Sequence, residues 1–189
     1  MLREAVVRSS IELYAYCVMP NHWHLLLSPT VDGELSRFMH WLTTTHARRW
    51  QTTRRLDGQG AVYQGRFKAI AVGNDNHFVC VCRYVERNPL RASLVERAED
   101  WRWSSISHHR RLANAEVPLT TWPIARPADW LALVNAVQTD AELNAVRTAI
   151  KKAEPFGGDA WKAALRQRLG IPQRKRGRPL RSRDALFEK

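Results

Sequence analysis

The amino-acid sequence predicts an α+β protein. Two short alternating segments flank a Pro-Asn turn near the N-terminus, the pattern of a β-hairpin. The stretch after them repeats its apolar residues at helical spacing. Beyond Trp130, capping and breaking residues mark out three more helices with no strand pattern between them.

Met1 to about Ser10 reads as a short helical segment. Glu12-Leu13-Tyr14-Ala15-Tyr16-Cys17-Val18 reads as a strand, Pro20-Asn21 as a turn, and His22 to Leu27 as a second strand. Pro29 and Gly33 punctuate the next connection. From about Glu34 to Arg54, Leu35, Phe38, Met39 and Leu42 share a helical face, and a loop with Gly58 and Gly60 follows. Gly65 to Val72 alternates, with Arg66 and Lys68 on one face, and predicts a third strand. Asn74 or Asp75 is the expected cap of the next helix, whose apolar stripe is Phe78, Val81, Cys82 and Val85. Pro89 ends that helix at about Asn88. Pro118, Pro123 and Pro127 give residues 114–127 the composition of a linker or extended segment. Trp130 to Val137 is a helix, and Thr139 with Glu142 forms a capping box opening another, to about Lys152. Pro155-Phe156-Gly157-Gly158 breaks it, and Asp159 to Leu169 is the last helix. The expected organisation is a domain over residues 1–112, a helical extension over 113–170 and a basic, disordered tail over 171–189.

The chain has 189 residues, 44% of them hydrophobic, so it can bury a core. A formal net charge of +12 favours a polyanionic partner, nucleic acid before an anionic membrane surface. No run is long and apolar enough to span a bilayer, and the N-terminus lacks a signal-peptide core. Cys17, Cys80 and Cys82 have no zinc-finger spacing and point to reduced thiols in a cytosolic compartment. Arg48, Arg49, Arg54 and Arg55, with Arg66 and Lys68, are candidate phosphate contacts. In the tail, Arg176-Gly177-Arg178-Pro179 is of the kind that lies in a narrow minor groove, with a solubilising tail as the equal alternative.

Four residues suggest the chemistry. On a strand, His22 and His24 project from one face while Trp23 faces the other way. On a helix, Tyr84 and Asn88 project together. Two imidazoles and an amide oxygen can hold a divalent metal with open positions, and a tyrosine hydroxyl beside them is a candidate nucleophile. Taken singly, each residue is more often structural: half-buried histidines, a core-edge tyrosine, an asparagine at a helix end. Together they describe one site that could cut a phosphodiester. Tyrosine attack yields a phosphotyrosine and a free 3′-hydroxyl, so the strand can be rejoined without ATP. Such ligands accept magnesium or manganese; affinity order favours zinc or copper, so availability decides.

Several blocks carry a family resemblance. They are Tyr16-Cys17-Val18-Met19-Pro20-Asn21-His22-Trp23-His24-Leu25-Leu26-Leu27, Gln64-Gly65-Arg66-Phe67-Lys68, Arg83-Tyr84-Val85-Glu86-Arg87-Asn88-Pro89-Leu90-Arg91-Ala92, and Trp103-Ser104-Ser105. In this order the chain resembles the single-tyrosine HUH transposases, and among them the REP-associated tyrosine transposases of bacteria. The resemblance covers roughly residues 11–107. The helical extension, with Pro155-Phe156-Gly157 and the closing Arg-Gly-Arg-Pro, is similar to that branch too.

The resemblance implies a ferredoxin-like α+β fold with an antiparallel sheet. It implies Mg2+- or Mn2+-dependent cleavage and joining of single-stranded DNA at hairpins or palindromic repeats, through a 5′-phosphotyrosine. By position, His22 and His24 match the metal ligands, Tyr84 the nucleophile and Asn88 the third ligand. The implied partner is single-stranded or hairpin DNA, with no membrane role and room for a homodimer. The implied location is the bacterial cytoplasm, at the nucleoid.

The chain departs from the family in two places. Trp23 stands where an aliphatic residue is usual, which keeps the alternation. Only Met1 to about Ser10 represents a region that in the family holds a strand and a full helix. Without that strand, a neighbour of the histidine strand, edge groups are expected to be unpaired and part of the core exposed; a misplaced start, a truncated relic and a strand supplied by a partner are the three readings. Two rival functions follow. One is a DNA-binding regulator at palindromic repeats that no longer cuts. The other is a small zinc protein holding zinc through His22, His24 and a cysteine, for which Cys17 is nearest in sequence.

If the tail contacts DNA, deleting residues 174–189 weakens binding and flattens its salt dependence. A binding series over salt concentration checks this, and an unchanged slope removes the tail as a contact.

Overall fold

A computed structural model describes residues 1–56, 60–73, 76–110 and 117–170. The expected cap Asn74 or Asp75, the loop residue Gly58, the start of the 114–127 segment, and Arg176 and Arg178 lie outside these residues. Helix α1 (Leu2–Val7) leads to β1 (Ile11–Val18) and β2 (Trp23–Pro29). Then come α2 (Glu34–Arg54), α3 (Asn76–Glu86) and a short α4 (Asn88–Arg91). The later helices are α5 (Trp130–Asn135), α6 (Asp140–Lys152) and α7 (Asp159–Arg168). The chain is an α+β mixture, as its patterning predicts. Met1–Gly157 forms one compact unit, and α7 belongs to a second that starts at Gly158.

The sheet among the described residues has two antiparallel strands, β1 and β2. Its register changes between Leu13 and Ala15, where Tyr14 is an extra residue on β1. That extra residue changes which side chains face which way. Before it, Ile11 and Leu13 join a core with Ala5 and Val6 of α1 and Phe38, Met39 and Leu42 of α2. After it, Ala15 and Cys17 join a second core with Phe78, Val81, Cys82 and Val85 of α3, while Tyr16 returns to the first. The sheet therefore separates an α2 side from an α3 side. β2 alternates without interruption: Trp23, Leu25 and Leu27 pack on the α2 side, and Leu26 packs on the α3 side.

The expected third strand at Gly65–Val72 does not form. Only Val72 makes an isolated parallel bridge, to Phe156, with Phe156 N–H donating to Ala71 O at 2.8 Å and Gly73 N–H to Phe156 O at 2.8 Å. Arg66 and Lys68 are both exposed, as are their neighbours Phe67 and Ala69. Alternation alone does not make a strand; it needs a neighbouring edge to pair with, and this segment finds one only at its end.

Later parts of the chain close the outer edge of β1. Val18 N–H donates to Trp103 O at 2.8 Å, and Tyr16 N–H to Ser105 Oγ at 3.0 Å. Thr120 N–H donates to Leu13 O at 2.7 Å, and Trp122 Nε1–H to Tyr14 O at 3.3 Å. Residues 117–127 are thus not a free linker: Trp122 is buried, edge-on to Phe78 and Trp130. No described residue hydrogen-bonds to the outer backbone edge of β2.

Helix α3 ends at Glu86, close to the expected Asn88, but the helical course resumes at once in α4. Pro89 lacks an N–H, but it falls in the first turn of α4, where none is needed. Arg91 N–H still donates to Arg87 O at 2.9 Å, and Ala92 N–H to Asn88 O at 3.0 Å, so the helical course continues past the proline.

On either side of Tyr84, the α3–α4 course is tied to α5 by charged side chains. Arg83 donates to the carbonyls of Leu133 (2.8 Å), Ala136 (2.9 Å) and Val137 (3.2 Å). Arg87 donates to those of Val134 (2.8 Å) and Asn135 (2.6 Å). The last turn of a helix leaves carbonyls without intrahelical partners and carries partial negative charge, so cations suit it. Between the two arginines, Glu86 is fully buried and accepts from Ser105 Oγ at 2.5 Å and Trp130 Nε1–H at 2.7 Å. The expected capping box is present, with Thr139 and Glu142 exchanging 3.2 Å bonds.

Burial raises the Glu86 carboxyl above its ordinary range; its two donors and Arg126 act against that but do not cancel it. An acid with a raised folded-state pKa contributes stability that is fully present below its unfolded pKa and lost as pH rises through the folded value. Urea midpoints should therefore decline as pH climbs above the ordinary carboxylate range. Glu86→Gln keeps an acceptor and a donor in place and should remove that part of the slope. Parallel curves for the two proteins would contradict this.

Candidate active site

His22 and His24 lie on the α3 side of the sheet because β2 alternates. Their ring centroids are 5.1 Å apart at 83°. Tyr84 meets His24 edge to face, with centroids 5.5 Å apart. A histidine pair from the hairpin and a tyrosine sixty residues later are thus in one cluster. Tyr84 is only 7% exposed. Asn88, at 5% exposed, follows it one turn on, and Arg91 sits one turn beyond Asn88. The Arg91 guanidinium carbon lies 4.4 Å from the Tyr84 ring centroid. Its Nη2 donates to Asn88 Oδ1 at 2.6 Å.

The electrostatics favour neutral imidazoles. Burial, then the neighbouring His22 and Arg91 charges, lowers the His24 pKa to about 4. Burial, then Arg91, also lowers that of His22. Both rings therefore keep a lone pair at neutral pH. Asn21 Oδ1 lies 2.6 Å from His22 Nδ1, so Nδ1–H donates and Nε2 carries the His22 lone pair.

Residues 1–88 match the family described as "Transposase IS200 like". The N-terminal region is similar to that family. The chain is also 27% identical over 119 residues to a Haemophilus influenzae protein named "Putative REP-associated tyrosine transposase". That match covers 59% of this chain and 66% of the relative, just under two thirds of the relative's length. No solved structure matches. The IS200-like match ends at Asn88, so it spans His22, His24 and Tyr84 but stops short of Arg91.

Within the IS200-like region, the imidazole pair suits a divalent cation: two neutral nitrogens on one strand face, one of them oriented by a carbonyl oxygen behind it. A third protein ligand is not preassembled. No group of three His, Cys, Asp or Glu residues that could hold a metal occurs among the described residues. Asn88 Oδ1 is taken by Arg91, and Asn88 Nδ2 is buried without a partner. Exchange of the two amide atoms would free an oxygen. The zinc alternative finds no support in this donor set. Cys17 pairs with His24 in the strand register, and burial raises its thiol to about 12 in the metal-free protein.

The expected DNA contacts lie apart from this cluster in the described contacts. Arg48 and Arg49 are exposed on α2, and Arg49 pairs with Glu4 at 2.9 Å. Arg54 stacks on Trp50 at 3.9 Å, and Arg55 caps α2 in a left-handed conformation. Arg66 and Lys68 sit exposed in the irregular segment that replaces the expected third strand. Sequence reasoning missed Arg91, and with it the Arg83–Arg87 clamp. The signal was present: Arg91 is seven residues after Tyr84 and three after Asn88, one stripe of a helix that the expected stop at Pro89 cut short.

Proposed function

We propose that this protein is a transposase-type strand transferase acting on single-stranded DNA, with Tyr84 as nucleophile and His22 and His24 as metal ligands. The observation that supports this most is the packing of the Tyr84 ring against His24 in a pair of neutral imidazoles. In the reaction, Tyr84 Oη forms a bond to phosphorus and the bond from phosphorus to the 3′-oxygen breaks. The 3′-oxygen leaves as a hydroxyl, the phenolic proton is given up, and the 5′-phosphate stays on Tyr84. Attack by a 3′-hydroxyl reverses these changes and rejoins the strand. A Mg2+ or Mn2+ ion, when bound, supplies polarisation of a non-bridging phosphate oxygen. The imidazoles would hold it, with Asn88 Oδ1 as third ligand once released by Arg91. The α3–α5 clamp holds Tyr84 in place, which is where much catalytic advantage originates. The net charge of +12 suits a DNA partner, and a hairpin or palindromic repeat is the substrate expected of the family resemblance.

The test is a covalent-adduct assay with end-labelled single-stranded hairpin DNA and manganese on a denaturing gel. An adduct is expected, and it should vanish in Tyr84→Phe and in His22→Ala. Hairpin binding without any adduct would replace this reading with that of a DNA-binding regulator. A further expectation concerns Asn21. Its replacement by alanine removes the acceptor that orients His22, and should weaken Mn2+ binding about 10- to 100-fold. Because Asn21 is exposed, stability should change by no more than about 0.5 kcal/mol. Manganese titration by electron paramagnetic resonance and urea unfolding read the two effects separately.

A further inference from the structure

We propose that Arg91 and Asn88 form a receptor for an anionic phosphate oxygen beside Tyr84, and that Asn88 acts there by positioning Arg91. The proposal rests on the reading that Tyr84 works on a phosphodiester, and it adds the group that receives that phosphate. Four observations carry it. The Arg91 guanidinium lies over the Tyr84 ring, 4.4 Å from its centroid. Its Nη2 is held by Asn88 Oδ1 at 2.6 Å. Its Nη1 is buried with no hydrogen-bond partner, and so is Asn88 Nδ2. No carboxylate among the described residues pairs with it.

These facts leave an uncompensated cation and two unused donors at one place. A buried donor without an acceptor is costly, and a buried charge without a counter-charge more so. Arg83 and Arg87, on the same helical course, avoid that cost by donating to five carbonyls of α5 and the loop after it. The Arg91 side chain reaches no backbone carbonyl among the described residues; its side-chain partners are Asn88 Oδ1 and the Tyr84 side chain, and Nη1 has none. The groups that act on its charge are Tyr84, Cys17 and Arg147, and it in turn acts on His22 and His24. None of them supplies a fixed negative charge. A phosphate oxygen would supply one and accept both unused N–H groups, and the planar guanidinium fork suits phosphate geometry. Both donors are covered in the free protein, so phosphate exchanges with the Asn88 contact and draws the guanidinium off the tyrosine face. That exchange also releases Asn88 Oδ1. Asn88 is therefore a positioning residue for Arg91 before it can be a ligand for anything else.

The test uses the full chain without metal and inorganic phosphate as probe. Side-chain nitrogen NMR follows the Arg91 Nε–H and Asn88 amide resonances. Both should shift together and saturate in the native sequence; the Asn88 shift should weaken in Arg91→Lys and disappear in Arg91→Gln. Two further readouts separate phosphate binding from a merely structural role. Arg91→Gln should slow adduct formation at saturating oligonucleotide by about a hundredfold, the effect of losing one transition-state donor. The same variant should bind Mn2+ more tightly, because a repelling charge leaves the imidazoles and Asn88 Oδ1 is freed. Silent Arg91 and Asn88 resonances, an unchanged adduct rate, or weakened Mn2+ binding would each overturn the proposal. A native chain that forms no adduct defeats the transferase reading instead, and the phosphate titration still decides this one.

Discussion

Tyr84 stands where it does because the helix that carries it is held from behind. Arg83 and Arg87 place charged donors on five carbonyls at and just beyond the C-terminus of α5, and Glu86 between them receives Ser105 and Trp130. Hydrogen bonds to charged groups contribute about 1.5–3 kcal/mol each, more than most single contacts at a protein surface. One residue on, about 100° round the helix, Tyr84, Asn88 and Arg91 form the adjacent stripe. The same helix thus has a structural face and a chemical face, and the first fixes the second. Loss of the clamp would leave the histidines on their strand and the tyrosine without a fixed position against them.

The hairpin provides the other half of the site. One extra residue on β1, Tyr14, changes which side chains reach the α3 side, while β2 keeps strict alternation and turns both histidines toward α3. β1 is not left with a bare outer edge. Trp103, Ser105, Thr120 and Trp122 satisfy its backbone groups, so segments that look like connections do the work of a neighbouring strand. Trp122 and Trp130 then continue an edge-to-face aromatic chain from Tyr14 through Phe78. The α3-side core therefore depends on residues far along the chain from the hairpin.

The site combines two neutral imidazoles with a guanidinium that no carboxylate among the described residues pairs with. A single cause links them: burial beneath α3 lowers both imidazoles, and the nearby Arg91 charge lowers them further. Arg91 also occupies the Asn88 oxygen. Under the proposed roles, an anion and a cation bound at this place would act through the same amide, and each would affect the other.

Much of this was legible in the chain itself. Local signals suffice for the hairpin, α2, the capping box of α6 and the shared direction of His22 and His24, because each depends on residues two to four positions apart. Tyr84 and Asn88 were legible as a helical pair for the same reason. The third strand was not: Gly65–Val72 has the alternation, but a strand exists only with a partner edge, and the sequence does not say which edges are free. Nor was the role of Arg91 visible, since Pro89 reads as a stop unless the first turn of the next helix is seen to need no N–H. The Arg83–Arg87 clamp was hidden for a plainer reason. Its acceptors are backbone carbonyls some fifty residues away, and every residue has a carbonyl, so no side-chain pattern announces them. Sequence alone determined which faces the residues share; only the tertiary structure decided which faces meet, because that depends on contacts between groups that chain spacing does not encode.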